Sequence, residues 1–290
     1  MPDPAPPGIR PAFAAGTVGG GRYAGTVSST APDPRPVPSP AEAGPTPGTA
    51  APADARDRGL FIAFEGGDGA GKSTQVRLLT DRLTAVGHDV LTTREPGGTP
   101  VGERLRDLVL EHGDAVVDPR TEALIFAASR AAHVEQVIRP ALTAGRDVVT
   151  DRYVDSSIAY QGAGRGLGAA DVEAINTWAI GDLHPDLTVL LDVDPGAGRD
   201  RRAGRAAEDR MEAEADDFHR VIRDAFLGQA AADPDRYLVL DATLPVATIA
   251  ERVAARVLAL AAGPLPALPV PGATPDDATP GGPGRLAGRR

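Results

Sequence analysis

Hydrophobic residues along the chain alternate between short apolar runs and longer stretches of helical spacing. Apolar runs rich in Val and Leu predict five strands, at residues 59–65, 90–93, 147–151, 187–193 and 237–241. Helical spacing predicts helices over residues 74–86, 100–110, 119–144, 169–181, 208–231 and 245–262. The strands are apolar on both faces, as parallel strands covered by helices are. The alternation therefore predicts an α/β fold with a doubly wound, five-stranded parallel sheet.

Both ends of the chain lack hydrophobic periodicity. Residues 1–57 and 263–290 are rich in Pro, Ala and Gly. Such segments cannot bury enough apolar surface to offset the loss of chain entropy on folding. We therefore expect two disordered extensions around one folded domain, at residues 58–262.

Composition excludes several classes of protein. The chain has no cysteine, so it forms neither disulfides nor thiolate metal sites. Its net charge of −10 argues against broad nucleic-acid binding. No apolar run is long enough to span a membrane, and the first residues do not resemble a secretory signal. We expect a cytoplasmic protein that binds neither membranes nor nucleic acid.

The chain has one lysine, Lys72, and its position indicates a phosphate site. Lys72 lies in the segment GGDGAGKS at residues 66–73, between the first predicted strand and helix, and the segment fits the phosphate-loop (P-loop) pattern G-x-x-x-x-G-K-[ST]. Backbone N–H groups of such a loop bind phosphate oxygens, the Lys reaches the β- and γ-phosphates, and the Ser ligates Mg²⁺. The predicted ATP-binding residues are Gly66, Gly67, Asp68, Gly69, Ala70, Gly71, Lys72, Ser73 and Thr74.

Polar side chains also follow other predicted strands, at the sheet edge where ligands bind. Asp151 ends the third strand, where P-loop proteins hold a carboxylate that supports Mg²⁺ directly or through water. Arg94 and Arg152 follow the second and third strands, and two guanidinium groups beside a P-loop favour a second anion site. The alternatives are a strand-end turn for Asp151 and surface ion pairs for the arginines. A second phosphate site suits a kinase whose acceptor is itself phosphorylated.

An arginine-rich segment follows the fourth predicted strand. Residues 199–210, which we call the lid, contain five arginines separated by Gly and Ala. This composition suits a mobile flap that brings cations over bound phosphates. A solvated, charged helix is the alternative.

Two segments resemble signatures of bacterial thymidylate kinases. They are TREPGGT at residues 93–99 and DRYVDSSIAYQG at residues 151–162. The resemblance extends from about Leu60 to Ala261, and it implies a P-loop kinase domain that transfers the ATP γ-phosphoryl group to dTMP, with Mg²⁺, giving dTDP and ADP in dTTP synthesis. It also implies a homodimer, for which the long helix from Phe126 to Ala144 is one candidate contact surface.

The resemblance implies a dTMP site at matching positions. Phe126 looks like the ring that stacks on thymine, although its position alone favours a core residue. Arg130, one helical turn later, would donate to a thymine carbonyl. Tyr160 looks like the residue that disfavours a 2′-hydroxyl. The residues that the resemblance assigns to dTMP are Arg94, Phe126, Arg130, Arg152, Ser157 and Tyr160.

The resemblance also implies catalytic roles. Asp68 looks like the carboxylate that meets the acceptor sugar or Mg²⁺. The P-loop has no arginine and the lid has several, which resembles the bacterial type that faces the transferred phosphoryl group with a lid arginine. Arg205 is the best match for that arginine and Arg201 the second. The implied catalytic residues are Lys72, Arg152, Arg205 and Asp68, and the implied metal-binding residues are Ser73 and Asp151.

Two alternatives to this function remain open. One is another nucleoside monophosphate kinase that selects a different base. The other is a non-catalytic P-loop switch, which would bind a nucleotide without any need for Phe126, Arg130 and Tyr160 beside a second pocket.

Overall fold

The computed structural model of the protein describes residues 58–111, 117–203 and 208–263. These residues contain a five-stranded parallel sheet with the strand order β2-β3-β1-β4-β5. Its strands are β1 (Phe61–Glu65), β2 (Val90–Arg94), β3 (Asp147–Asp151), β4 (Leu187–Asp192) and β5 (Tyr237–Asp241). The predicted fold class and all five predicted strands are confirmed.

Helices connect the strands and cover both faces of the sheet. They are α1 (Lys72–Ala85), α2 (Pro100–Leu110), α3 (Pro119–His133), α4 (Arg139–Thr143), α5 (Val154–Ser157), α6 (Ala169–Ile180), α7 (Pro195–Arg202), α8 (Asp216–Ala232) and α9 (Val246–Ala261). A π-helical turn over Val134–Ile138 joins α3 to α4, and a second over Ile158–Gly164 extends α5. π-Helical turns inside helices occur frequently at functional sites.

Apolar side chains from the two faces of the sheet form separate cores. On one face, Leu79 and Leu83 of α1 and Val253 of α9 pack with β1 and β4. On the other face, Ile138 and Leu142 pack with β1 and β3. Because both faces are covered, the central strands β1 and β4 are almost fully buried, as their continuous apolar sequences predict.

Helix α8 begins later than predicted, because an aspartate turn precedes it. The predicted helix started at residue 208, but the observed helix starts at Asp216. The carboxylate of Asp209 accepts hydrogen bonds from the backbone N–H groups of Met211 and Glu212, at 2.8 and 2.9 Å. Such local bonds favour a turn over a helix. Helices α5 and α7 were not predicted.

The predicted disordered extensions, residues 1–57 and 263–290, lie outside the described residues except for Gly263. Among the helices of the described part, none combines the length and the apolar character needed to cross a bilayer.

Candidate active site

A cavity of about 650 Å³ lies at the carboxyl ends of β1, β2 and β3. This is the edge at which open α/β sheets bind ligands. The predicted site residues that line the cavity are Asp68, Gly69, Ala70, Gly71, Lys72, Ser73, Thr74, Arg94, Phe126, Arg130, Asp151, Arg152, Ser157 and Tyr160. Gly66 and Gly67 lie just behind them and contact Lys72 through their carbonyl groups.

The P-loop surrounds the ammonium group of Lys72. Lys72 Nζ donates to the carbonyl oxygens of Gly66 and Gly67, both at 3.0 Å. Burial and the nearby Arg152 guanidinium lower the pKa of Lys72 from its ordinary value. A Cβ atom at Gly69 would lie 2.1 Å from the Gly198 carbonyl oxygen. Only glycine therefore allows the loop to approach α7 this closely.

Ser73 and Asp151 form a pair of oxygen ligands at the mouth of the P-loop. The Ser73 hydroxyl donates to Asp151 Oδ2 at 2.8 Å, and this pair is exposed to the cavity. Hydroxyl and carboxylate oxygens are the ligands that Mg²⁺ prefers. Within the described ranges, no cluster of three or more acidic or histidine residues could hold a metal without other ligands. The pair therefore fits an ion that takes further oxygens from bound phosphates.

Arg152 connects the P-loop to the segment that follows β3. Its guanidinium group pairs with Asp68 at 2.5 Å and donates to Ser156 Oγ at 3.0 Å and to the Tyr160 hydroxyl at 3.2 Å. Tyr160 in turn donates to Asp68 Oδ2 at 2.9 Å. Burial alone would raise the pKa of Asp68, but the positive charges of Arg152 and Lys72 hold it well below its usual range. Asp68 is therefore ionised at neutral pH.

The backbone of Arg152 is held in an unusual conformation. Its φ of 71° lies in the left-handed region, which non-glycine residues adopt uncommonly. Hydrogen bonds from Arg152 N to the Phe64 carbonyl at 2.9 Å and from Thr150 Oγ1 to the Arg152 carbonyl at 3.0 Å hold it there. Residues strained in this way are concentrated at functional sites.

Arg94 and Arg106 approach the same end of the cavity from β2 and α2. Both donate to the Pro96 carbonyl oxygen, at 2.7 and 3.0 Å, and Arg94 also pairs with Glu103 at 2.9 Å. Burial and the positive charge of Arg94 lower the pKa of Arg106. Together with Arg152, these two residues form a three-arginine cluster beside the P-loop.

Arg130 is almost fully buried, with 2% of its surface exposed. It donates to Glu95 at 2.7 Å, to Ser157 Oγ at 3.0 Å, to the Tyr153 carbonyl at 3.0 Å, and to Asn176. These bonds use four of the five N–H groups of a guanidinium and fix its plane. The arginine therefore lines the cavity as a rigid group and not as a flexible surface side chain.

Phe126 lies one helical turn before Arg130 and is half-buried at the cavity wall. It is absent from the three buried hydrophobic clusters of the described residues. A ligand in the cavity could contact its ring, and the stacking role stays a prediction. Ser157 also lines the cavity and accepts a hydrogen bond from Arg130.

Glu65 lies below the site and supports the segment that carries Arg152. Its fully buried carboxylate accepts hydrogen bonds from the Tyr153 N–H at 2.8 Å, from the Ser156 N–H at 3.2 Å and from Ser156 Oγ at 2.6 Å. Burial, with a smaller contribution from the Asp155 charge, raises the pKa of Glu65 from 4.5 to about 7.

The free energy of unfolding should depend less on pH in Glu65→Gln than in the wild type, because the variant has no ionisable group at this position. The folded protein keeps a proton on Glu65 between its ordinary pKa of 4.5 and about 7, whereas the unfolded chain releases it. This group therefore stabilises the fold at low pH, and that contribution, about 3 kcal/mol, is lost as pH rises through this window. Urea unfolding of both proteins from about pH 5 to about pH 8 measures it. A constant stability difference over that range would contradict the assignment.

The lid is described only in part. Arg201 donates to the Ala242 carbonyl at 2.9 Å, and both Arg201 and Arg202 line the cavity. Arg205, the best match for a lid arginine, lies outside the described residues.

Several residues that line the cavity were not assigned a role from the sequence. They are Glu95, Arg106, Gln161, Leu244, Val246 and Ile249. Arg106 and its neighbour Arg104 look alike in sequence, and only the packing of α2 shows which of them faces the cavity. Gln161 lies in the second signature segment, next to Tyr160, and that position was the available signal.

Sequence comparisons with known proteins identify the family of the chain. The sequence model of the thymidylate kinase family matches residues 64–253. Thymidylate kinase of Clavibacter sepedonicus is 55% identical over 199 residues, which cover 68% of this chain and 94% of that protein. Thymidylate kinase of Cutibacterium acnes is 52% identical over 203 residues, covering 70% and 98%. Thymidylate kinase of Pseudomonas fluorescens SBW25 is 47% identical over 195 residues, covering 67% and 93%. The chain therefore belongs to the thymidylate kinase family.

Proposed function

We propose that the protein transfers the γ-phosphoryl group of ATP to dTMP, giving ADP and dTDP. The observation that carries the proposal is one cavity that is lined both by a P-loop and by a three-arginine cluster. The P-loop suits the donor phosphates, and the arginine cluster suits a second phosphate. Membership of the thymidylate kinase family supports the choice of acceptor.

The acceptor binds between the arginine cluster and the aromatic side chains of Phe126 and Tyr160. Arg94, Arg106 and Arg152 bind its phosphate, since guanidinium forks match phosphate oxygens. Phe126 stacks on the base, and Arg130 offers its remaining N–H group to a base carbonyl. Ser157 and Tyr160 complete this acceptor pocket next to the base and the sugar.

The reaction needs positioning and charge neutralisation more than proton transfer. A phosphate monoester has a second pKa of about 6, so the acceptor is mostly dianionic at neutral pH and needs no general base. The protein aligns two anions that repel each other and places Lys72, Arg152 and a lid arginine around the transferred group. Asp68, which Arg152 and Tyr160 hold in place, faces the acceptor sugar or the metal.

Ser73 and Asp151 would hold Mg²⁺ together with the ATP phosphates. The ion would neutralise charge that develops on the phosphoryl oxygens. The apolar side chains of Leu244, Val246 and Ile249, which also line the cavity, would contact the donor base.

Turnover of a panel of acceptors tests the proposal. With ATP and Mg²⁺, we expect the highest kcat/KM for dTMP among dTMP, dUMP, dCMP, dGMP and dAMP, measured by coupled ADP release. Preference for a purine monophosphate would identify another nucleoside monophosphate kinase. Nucleotide binding that is unaffected by dTMP, without any transfer, would identify a P-loop switch.

The proposal includes a homodimer and a cytoplasmic location. Helices α2, α3 and α6 pack side by side and expose Leu108, Leu124 and Trp178, the last with 87% of its surface accessible. A second copy of the chain would cover these apolar side chains. Sedimentation that shows a monomer at micromolar concentration would contradict the dimer.

The cytoplasm holds the ATP that the reaction uses, and cell fractionation tests that location.

A further inference from the structure

A buried carboxylate on α3 connects the acceptor pocket to the end of the lid. Glu122 has 1% of its surface exposed and accepts hydrogen bonds from three side chains, which come from two different segments. Gln161 Nε2 donates to it at 3.0 Å, Arg165 Nε at 3.2 Å and Arg210 at 2.6 Å. Gln161 lines the cavity, whereas Glu122, Arg165 and Arg210 are not among its lining residues.

The charge of Glu122 decides which way the Gln161 amide faces. A carboxylate only accepts hydrogen bonds, so the amide nitrogen of Gln161 must face Glu122. The two ends of a glutamine amide point in different directions, so the carbonyl oxygen is left for the cavity. Since Gln161 lines the cavity, its carbonyl oxygen would serve the acceptor pocket as a hydrogen-bond acceptor of fixed orientation.

A fixed acceptor distinguishes pyrimidine bases by their ring nitrogen. Thymine and uracil carry an N–H group at ring position 3, which donates to a carbonyl oxygen. Cytosine has an unprotonated nitrogen there, which would face the same oxygen as a second acceptor. A site with an unpaired or opposed polar group rejects the wrong ligand strongly.

Arg210, the last residue of the lid, fixes the position of the Glu122 carboxylate through a hydrogen bond. Besides its bond to Glu122, Arg210 donates through Nε to the Val109 carbonyl at 2.9 Å. Arg165 pairs with Glu122 and also with Glu214, at 2.5 Å. Glu122 is thus placed by two guanidinium groups, and each of these is anchored a second time.

We infer that Glu122 is a positioning residue that fixes the Gln161 amide and thereby makes base selection depend on Arg210. The inference rests on the proposed function, because it concerns how the same pocket selects its acceptor. Glu122 does not line the cavity, so it would touch neither substrate. It acts through Gln161, so its removal changes acceptor recognition more than ATP binding.

Glu122→Gln tests this inference with a side chain of the same shape. A glutamine at position 122 both donates and accepts, so it pairs with either orientation of the Gln161 amide. We expect kcat/KM for dTMP to fall by about 10- to 100-fold, mainly through KM. The ratio of kcat/KM for dTMP to that for dCMP should fall at least about tenfold, while KM for ATP stays unchanged.

Glu214→Gln is the matched control. Glu214 belongs to the same ion-pair cluster and is partly exposed, but it pairs with Arg165 and makes no bond to Gln161. It should keep the dTMP-to-dCMP ratio of the wild type. An equal loss in this variant would mean that any disturbance of the cluster has the same effect, and it would overturn the role of Glu122.

Arg210→Met supplies a second variant in case Glu122→Gln fails to fold. Arg210 does not line the cavity but donates to Glu122, so we expect the dTMP-to-dCMP ratio to fall in this variant as well. An unchanged ratio in folded Glu122→Gln, or in Arg210→Met if that is the variant that folds, overturns the inference and leaves the proposed function intact. If the wild type does not phosphorylate dTMP, both are overturned.

Discussion

Lys72→Ala is expected to lower kcat by a factor on the order of 10²–10³ while the fold is retained. Lys72 Nζ lies 3.0 Å from the carbonyl oxygens of both Gly66 and Gly67, so its ammonium group is already placed at the mouth of the P-loop. A donor fixed in this way stabilises charge on the transferred phosphoryl group without reorganisation during the reaction. Steady-state kinetics with dTMP, together with thermal unfolding of both proteins, measures the effect.

Two further variants make this result specific. Lys72→Arg keeps the charge but replaces a compact ammonium with a planar fork, and we expect most of the loss to remain. Arg77→Ala removes a charge from the same helix, where Arg77 is exposed and pairs with Asp81. This control should turn over dTMP like the wild type. Near-normal turnover by folded Lys72→Ala would contradict the role of the P-loop.

Local signals predicted the framework of the fold well. Helix α2 begins and ends where it was predicted, because Thr99 caps it, with its side chain accepting from Gly102 N, and Pro100 occupies the first turn. Strands β3 and β5 also match the prediction, since each is a short run with an apolar centre that ends in aspartate. These features depend on neighbouring residues, which a sequence displays directly.

Features that depend on distant residues were not predictable in the same way. The sequence indicated that Arg130 faces the acceptor pocket, but nothing in it showed that Glu95, Ser157, Asn176 and Tyr153 would fix its guanidinium group. These four partners come from three separate segments of the chain, since Tyr153 and Ser157 lie only four residues apart. Their convergence is a result of tertiary packing.

The same reason explains why Glu122 drew no attention in the sequence. It lies in the first turn of α3, where an acidic residue is ordinary because of the helix dipole. Its partners Gln161 and Arg210 are 39 and 88 positions away in the chain. A carboxylate becomes a candidate positioning residue only when its burial and its donors are known.

Arg152→Ala is expected to lower kcat/KM for dTMP by a factor on the order of 10³, and to destabilise the fold as well. The first effect follows from the loss of a charge-assisted clamp on the acceptor phosphate. The second follows from Asp68, whose carboxylate pairs with Arg152 at 2.5 Å in a buried position. Without its partner, burial raises the pKa of Asp68 and the charged form becomes costly.

The double variant Arg152→Ala/Asp68→Asn separates these two effects. It removes the unpaired carboxylate together with the arginine, so we expect stability against urea to recover while kcat/KM for dTMP stays low. Removing Arg152 raises the pKa of Asp68. As the pH is lowered, the Arg152→Ala variant should therefore lose its remaining activity at a higher pH than the wild type does. If the double variant recovers both stability and turnover, Arg152 acts only as the partner of Asp68. The acceptor phosphate would then be held by Arg94 and Arg106 without it.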